Sequence, residues 1–359
     1  MKVAYVLTWP RGAWTGVFKK VADQVGAWSD LGVEAGVFVA TSLEAEADWR
    51  SLPLVKGIET FTSAIESFSV QPTIIRRAAE WSPDIAYLRS TPRQAYARRH
   101  LRSLPHVIEI QSNDLEEARG LSRQRLLLTQ VTRNSCLGGA RGLVFVSREL
   151  STLPSYAQFT DRRTVIGNGI ELGRLQTMPA PATNLAPRLA FMGLPDSPWH
   201  GLDDVYELAR VRPEWSFDLI GPTQTESTPR LPNLHFHGEL RSDEYLPILA
   251  KADAAISTLA WYRNSMNEAS PLKSREYLAL GLPVIGAYED TDIPPNDPVY
   301  LQLPNRPGAI IDEVDRVEQF IRGWQGKRVR HDQIAYLDTA VKEAARIDFL
   351  RTCAHKSST

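Results

Sequence analysis

The chain has little cysteine: only Cys136 and Cys353 occur in 359 residues. These two isolated residues form neither a disulfide framework nor a metal-binding pattern. We therefore expect both to be reduced structural thiols, as is usual in the cytosol. A net charge of −1 likewise excludes a chain that is strongly basic or acidic as a whole.

Long apolar runs are also absent. No stretch approaches the ~18 apolar residues that a membrane-spanning helix needs. Trp9-Pro10-Arg11 interrupts the apolar start Lys2–Thr8, so we predict a first strand there and not a signal peptide. Heptad repeats, metal-ligand clusters, Walker loops and nucleophile elbows are missing too. The expected location is cytoplasmic, with peripheral attachment to the inner face of the membrane as an open alternative.

The length and an ordinary composition, 43% hydrophobic and 23% charged, indicate two globular domains. Charge is divided unevenly between the two halves. Residues 1–170 contain 21 Lys and Arg against 16 Asp and Glu, a net of +5, and residues 171–359 contain 20 against 26, a net of −6. The first half is therefore the better candidate for contact with an anionic surface or acceptor.

Strand-like segments alternate with helical ones in both halves, which predicts an α/β protein with parallel sheets. The Pro- and Ala-rich segment near residues 176–184 separates the two patterns. The predicted strands are 2–8, 33–40, 84–89, 107–111, 142–147, 164–167, 188–193, 216–221, 234–238, 254–259, 283–288 and 299–303. The predicted helices are 16–30, 115–137, 202–211, 242–251, 312–324 and 332–352. The predicted divisions are a first domain at 1–172, a linker at 173–186, a second domain at 187–328 and a final segment at 329–359.

The most informative stretch is residues 267–285. Glu268 lies in a loop, Ser270 and Pro271 favour the N-cap and first turn of a helix, and Glu276 falls in the second turn. A helix N-terminus suits a diphosphate, because its amides and dipole favour an anion. Carboxylates on either side suit hydroxyl groups, so we expect a nucleotide sugar. The candidate donor-binding residues of this turn are Ser270, Pro271, Leu272 and Lys273.

Glu268 and Glu276 are separated by seven residues, and Ser270-Pro-Leu-Lys273 stands between them. With the following Gly281-Leu-Pro283, this stretch resembles the E-x7-E motif of retaining glycosyltransferases of family 4. The resemblance implies the GT-B fold: α/β, two Rossmann-like domains with parallel sheets facing a central cleft, and a last helix that crosses back to the N-terminal domain. It also implies transfer of a hexose-like sugar from a nucleotide diphosphate sugar to an acceptor hydroxyl. Neither a metal nor a further cofactor is expected.

By the same resemblance, Glu268 would act at the donor sugar hydroxyls as a catalytic residue, and Glu276 would hold the nucleotide ribose. Family members also hold the phosphates with cations in Gly-Arg and Lys-Gly pairs. The corresponding residues here are Gly193-Leu194 and His200-Gly201, so both cations are missing.

Other side chains can supply that charge, above all Lys273, and also Arg275 or Arg263. His200 remains a donor-binding candidate together with Gly201. It would bind a phosphate best when protonated. The alternative is that His200 lies at the start of a helix and binds no ligand.

Glycine-containing loops follow several predicted strands, where ligands bind in open α/β folds. Gly221, and His237-Gly238-Glu239 after the next strand, are candidates for the nucleotide base or for ordinary turns. Gly12 and Gly16 occupy the place of the family's glycine-rich first loop, where backbone can approach a phosphate or sugar. Trp9 precedes this loop and Trp14 lies within it, and both can stack on a sugar, contact a lipid or serve packing.

Two acidic residues lie at the end of the predicted strand 107–111. Glu109 and Asp114 are candidate catalytic residues that would contact the acceptor hydroxyl or the donor sugar. The alternative for Asp114 is the N-cap of the next helix. Asn168-Gly169 resembles the family's junction before the second domain and is also a turn signal.

Seven arginines lie between Arg76 and Arg102 without a lysine among them. They form either a solvated helix face or a peripheral contact with anionic lipid. The acceptor class is a glycan or lipid-linked glycan in polysaccharide or glycoconjugate assembly, and no nucleic-acid partner is expected. Two alternatives remain: another GT-B activity such as a nucleotide-sugar epimerase, or a non-catalytic glycosyltransferase-like partner subunit.

Overall fold

The computed structural model describes residues 1–13, 15–181, 184–194, 197–226 and 228–355. The chain divides into two compact units: Met1–Gly169 together with Thr339–Thr359, and Ile170–Asp338. The second unit thus includes the expected linker and extends past the expected boundary at residue 328. An isolated bridge between Ile170 and Asp338 joins its two ends, and Met178 N donates to Leu280 O (3.0 Å), which ties the predicted linker to this unit.

The first unit contains a seven-stranded parallel sheet in the order β3-β2-β1-β4-β5-β6-β7. Its strands are β1 Lys2–Thr8, β2 Glu34–Ser42, β3 Val55–Phe61, β4 Ile85–Arg89, β5 His106–Ile110, β6 Gly142–Phe145 and β7 Arg163–Val165. The central strands are buried on both faces, as expected for a parallel sheet covered by helices. The edge strand β3 was not predicted, because polar residues interrupt its apolar pattern.

The second unit contains a six-stranded parallel sheet in the order β10-β9-β8-β11-β13-β15, and a two-stranded parallel pair, β12 with β14. Its strands are β8 Arg188–Met192, β9 Ser216–Ile220, β10 Leu234–Gly238, β11 Ala254–Ile256, β12 Glu268–Ala269, β13 Val284–Gly286, β14 Glu289–Asp290 and β15 Tyr300–Gln302. The small pair carries Glu268 outside the main sheet.

Helices connect the strands in both units. They are α1 Gly16–Asp30, α2 Glu46–Arg50, α3 Glu66–Ser69, α4 Gln71–Glu80, α5 Arg98–Leu101, α6 Asp114–Leu121, α7 Arg123–Leu137, α8 Arg148–Thr152, α9 Pro154–Ala157, α10 Leu202–Val211, α11 Ser242–Leu249, α12 Leu272–Ala279, α13 Ala309–Asp312, α14 Val314–Trp324 and α15 Thr339–Ala354. None of the described helices combines the length and apolar character needed to cross a membrane.

The single helix predicted over residues 115–137 is wrong. Ser122 is extended (φ −171°, ψ 156°) and its side chain accepts from Arg125 N, so it ends α6 and caps α7. The alternative that Asp114 is the N-cap of this helix is also wrong. Asn113 caps α6, because its side chain accepts a hydrogen bond from Glu116 N (3.4 Å). Both caps are serine or asparagine, the residue types that favour this position.

A buried ion network joins the start and the end of the first unit. Glu109, at the end of β5, is fully buried and contacts Lys20 of α1 at 2.6 Å, Arg89 of β4 at 3.5 Å and Arg346 of α15 at 3.6 Å. Burial disfavours ionisation of Glu109, but these three cations together hold the pKa of its carboxyl well below the usual range. Glu343 of α15 pairs with Arg346 (2.9 Å).

We expect the neutral substitution Glu109→Gln to lower the free energy of unfolding by about 3–5 kcal/mol, because it leaves buried cations without their carboxylate. Urea denaturation measures this change. The control is Glu34→Gln, which removes a surface contact with Lys2 (3.7 Å) and should cost less than about 1 kcal/mol. Equal losses in the two variants would mean that the network gives no net stability.

Candidate functional site

The site predicted from residues 267–285 is built around the N-terminus of α12. Glu268 is buried in β12, and its carbonyl accepts from Trp261 Nε1 (2.9 Å). The helix begins at Leu272 with Pro271 as its N-cap, one position later than predicted. The predicted N-cap Ser270 is also buried, and its hydroxyl accepts instead from Arg275 Nη2 (2.9 Å).

Arg275 holds this loop in place and is fully buried. Its guanidinium donates to both oxygens of Asp290 (2.7 and 2.8 Å) and to Asp292 (3.1 Å). The prediction that Arg275 supplies charge to a phosphate is therefore wrong, since two carboxylates already neutralise it. Asp290, in the acidic segment Glu289–Asp292, is thus a buried ion-pair partner.

Arg263 is likewise neutralised. Its guanidinium forms two hydrogen bonds with Asp203 (3.0 and 2.6 Å), and this pairing raises the pKa of Arg263. Its role as a replacement cation for the diphosphate stays a prediction, since this ion pair is partly exposed.

Three buried hydroxyl groups, those of Ser257, Ser274 and Tyr288, hold the first turn of α12 in place. Ser274 Oγ lies 2.6 Å from Ser257 Oγ and 2.7 Å from Tyr288 Oη, and Tyr288 donates to Ser257 Oγ (3.2 Å). A closed triangle of hydroxyls satisfies these groups in the interior. It joins α12 to the end of β11 and to the segment after β13.

Lys273 is the cation of the site that has no carboxylate beside it among the described residues. Its Nζ donates to Met192 O (3.2 Å) and lies 4.5 Å from the centroid of the Phe191 ring. Burial alone lowers its pKa to about 7. A desolvated ammonium in the first turn of a helix is suited to an anion that enters at the helix N-terminus.

His200 lies against the end of β8. A Cβ at Gly193 would lie 2.7 Å from its Nδ1, so the glycine makes room for the imidazole ring. Burial, with the Lys273 ammonium as a second cause, lowers the pKa of His200 to about 2. The ring is therefore neutral at physiological pH, and its buried Nδ1 has no hydrogen-bond partner among the described residues. A protonated His200 is not the missing phosphate cation.

Glu276 lies in the second turn of α12, as predicted, and accepts a hydrogen bond from the hydroxyl of Tyr245 in α11. Tyr277 faces the other way, and its hydroxyl accepts from Met192 N (2.5 Å). The end of β8 is thus fixed through its amide by Tyr277 and through its carbonyl by Lys273.

Glycines form the carboxyl edge of three adjacent strands. Gly221 has φ +99° and donates its N–H to Gly238 O (2.6 Å), and a Cβ on it would lie 1.9 Å from Gly193 O. Gly201 also has a positive φ (+70°) as the N-cap of α10, where a Cβ would lie 2.8 Å from Leu259 Cβ. The carboxyl edge of the sheet therefore presents backbone atoms without side chains near α12.

The substitution Gly221→Ala should destabilise the protein strongly. Gly308→Ala is the matched control, because Gly308 has φ +69° and a Cβ added there would face open space, with no contact within 4 Å. The control should cost about 1 kcal/mol for its positive φ, and Gly221→Ala about 1–3 kcal/mol more for the steric clash. Chemical denaturation compares the two, and equal costs would contradict the close approach to Gly193.

The predicted residues of the first unit lie in different surroundings. Glu109 is the fully buried centre of the ion network. Asp114 accepts from Arg133 Nε (3.0 Å) and from the Tyr156 hydroxyl (2.9 Å) at the wall of a cavity. Both carboxylates are thus occupied by residues of the protein.

The first loop is held by Asp48. A Cβ on Gly12 would lie 1.9 Å from Asp48 Oδ2, which also accepts from Ala13 N (2.8 Å). Gly16 is the first residue of α1. Trp14 lies outside the described residues.

Several arginines of the predicted basic stretch Arg76–Arg102 form ion pairs with carboxylates. Arg76 contacts Glu80 (2.9 Å), Arg77 contacts Glu59 (3.0 Å), and Arg89 belongs to the ion network. The exposed arginines of this stretch include Arg98, Arg99 and Arg102.

The structure brings Glu268, Ser270, Lys273 and Glu276 together around one helix start, with His200 and Gly193 facing Lys273. Sequence reasoning missed Tyr245 and Asp290. The sequence contained an indication of a partner such as Asp290, because Arg275 needs a carboxylate if its helix is buried. Tyr245 had none, since its contact depends on how α11 packs.

No protein-family model matches the chain, and no curated protein matches it in sequence. Solved structures match over nearly the whole length. HepE of Anabaena, solved with UDP and glucose, has a TM-score of 0.69 at 15% identity, covering 97% of this chain and 99% of that chain. The architecture is GT-B.

Two further GT-B neighbours differ in what they bind. An alpha-glucosyltransferase in complex with UDP and a 13-mer DNA has a TM-score of 0.66 at 11% identity, covering 98% of this chain and 100% of that chain. The UDP-GlcNAc 2-epimerase from Neisseria meningitidis, bound to UDP-GlcNAc, has a TM-score of 0.57 at 12% identity with the same coverage. The TM-scores and coverages show a shared fold and confirm the predicted fold class, and at these identities they show the fold alone.

Proposed function

We propose that this protein is a retaining glycosyltransferase that moves a hexose-like sugar from a nucleotide diphosphate sugar to an acceptor hydroxyl in polysaccharide or glycoconjugate assembly. The observation that carries the proposal is Lys273, a desolvated cation in the first turn of α12 with no carboxylate partner among the described residues. The GT-B fold and the E-x7-E spacing of Glu268 and Glu276 support the same conclusion.

In this mechanism the bond between the anomeric carbon and the diphosphate breaks, and negative charge develops on the leaving group. The α12 amides and the Lys273 ammonium would stabilise that charge. Glu276 would hold the ribose, with Tyr245 fixing its carboxylate, and Glu268 would hold the donor sugar. The leaving phosphate takes the proton of the acceptor hydroxyl, so no protein base is required. Glu109 and Asp114 are ion-paired within the first unit, so this mechanism assigns neither of them a catalytic role.

Lys273→Met should weaken UDP binding at least about tenfold, because it removes the diphosphate cation. Calorimetric titration with UDP, GDP and dTDP measures this and identifies the preferred base. Lys251→Met, an exposed lysine of the same unit, is the control and should bind normally. Unchanged affinity in Lys273→Met would refute the site, and no binding of any nucleotide by the native protein would favour a non-catalytic partner subunit.

Nucleotide binding should take up a proton above neutral pH. Free Lys273 has a pKa of about 7, and a bound diphosphate raises it. The lysine's contribution to affinity is therefore complete below pH 7 and is lost as the pH rises through the higher pKa of the complex. Titrations with UDP at pH 8 in two buffers of different ionisation enthalpy should show uptake of about one proton. Lys273→Arg should bind without uptake, and equal uptake in both proteins would contradict this assignment.

An epimerase is the second candidate, because one neighbour of the same fold is a UDP-GlcNAc 2-epimerase. Incubation with a nucleotide sugar alone separates the two activities: an isomerised sugar indicates an epimerase, and unchanged donor that is consumed only with an acceptor indicates a transferase. Since another neighbour was solved with DNA, duplex DNA belongs among the acceptors tested, although a glycan acceptor is proposed.

A further inference from the structure

The first unit contains a cavity of about 310 Å³ at the carboxyl ends of β4 and β5, walled by α6 and α7. This volume is sufficient for a small ligand. Apolar side chains, among them Phe68, Ile110 and Leu128, line it together with charged groups of both signs.

Of the two acidic groups of the cavity, one is ion-paired, and burial disfavours ionisation of the other. Asp114 is paired with Arg133 (3.0 Å) and accepts from Tyr156. Burial raises the pKa of the Glu117 carboxyl, and the neighbouring Asp114 raises it further. The acidic lining therefore does not make the cavity a cation site.

Two arginines that line the cavity have no carboxylate partner among the described residues. Arg93 Nε donates to Ser67 Oγ (2.6 Å), its Nη1 donates to Thr91 Oγ1 (3.4 Å), and its guanidinium lies 5.4 Å from the Phe68 ring centroid. All these partners are neutral. Arg125 lines the same cavity from α7, and neither arginine forms a salt bridge with a described residue. Burial, and repulsion by Arg125, lower the pKa of Arg93.

The rim of the cavity is apolar and exposed. Leu128 lines the cavity and is 40% exposed, and on the same helix Val131 is 69% exposed. Ile65, beside the lining residue Ala64, is 84% exposed. Exposed apolar side chains on the elements that line a cavity are suited to an apolar partner.

We propose that this cavity binds a phosphate ester carrying an apolar chain, with the phosphate between Arg93 and Arg125 and the chain over Leu128, Ile65 and Val131. Two guanidinium groups match the oxygens of a phosphate, which each can bind through paired N–H groups. A sugar attached to that phosphate would supply the acceptor hydroxyl. The acceptor role rests on the proposed function, whereas affinity for the phosphate ester does not.

The test is calorimetric titration of the full chain with octyl phosphate, ethyl phosphate, octanoate and octyl glucoside, all below their micelle concentrations. We expect saturable binding of octyl phosphate and at least tenfold weaker binding of the other three. Arg125→Gln, at an exposed position, should weaken octyl phosphate binding at least tenfold, and Arg93→Gln should do the same. The exposed Arg99→Gln is the matched control and should bind normally.

Absence of saturable octyl phosphate binding, or equal affinities in the Arg99 and Arg125 variants, would overturn the proposal. Equal binding of octanoate or octyl glucoside would exclude phosphate recognition, and equal binding of ethyl phosphate would exclude the apolar part. UDP titration of the same preparation keeps the two proposals apart. UDP binding without octyl phosphate binding would reject only the cavity, and the reverse result would reject only the proposed donor site.

Discussion

Buried cations in this protein depend on carboxylate partners, and those ion pairs fix the elements around both candidate sites. Asp290 neutralises Arg275, which in turn holds the loop of Ser270 in front of α12. Glu109 does the same for Lys20 and Arg346 at the carboxyl edge of the first sheet. An unpaired charge in such surroundings costs several kcal/mol, so a buried cation without a carboxylate partner is informative.

Lys273, which is partly buried, has no carboxylate partner among the described residues of the second unit. The phosphate cations expected from the resemblance are replaced by Leu194 and by a neutral His200. Arg263 and Arg275 are already neutralised by aspartates. The diphosphate charge would therefore be shared between one lysine and the helix amides. A site with so little fixed charge depends on a rigidly held helix. The hydrogen bonds of Ser274 with Ser257 and Tyr288 hold α12 in place.

Much of the fold could be predicted from sequence where one pattern dominates. The limits of α1 and α10 agree with their predicted ranges because amphipathic spacing and flanking glycines mark both helices. β3 was missed because Lys56, Gly57 and Glu59 interrupt its apolar residues. The motif located Glu268 and Glu276, but it could not reveal that Arg275 points to Asp290, since that pairing depends on where β14 lies.

The last helix has a consequence for synthesis. Arg346 and Glu343 complete the interior of a unit whose other residues end at Gly169. During translation the first sheet leaves the ribosome well before these side chains exist, and the entire second unit is made in between. Until α15 has been made, Gln24 and Trp28 of α1 lack their acceptor Glu343, and Glu109 lacks its contact with Arg346, so the interior of this unit can be completed only late in synthesis.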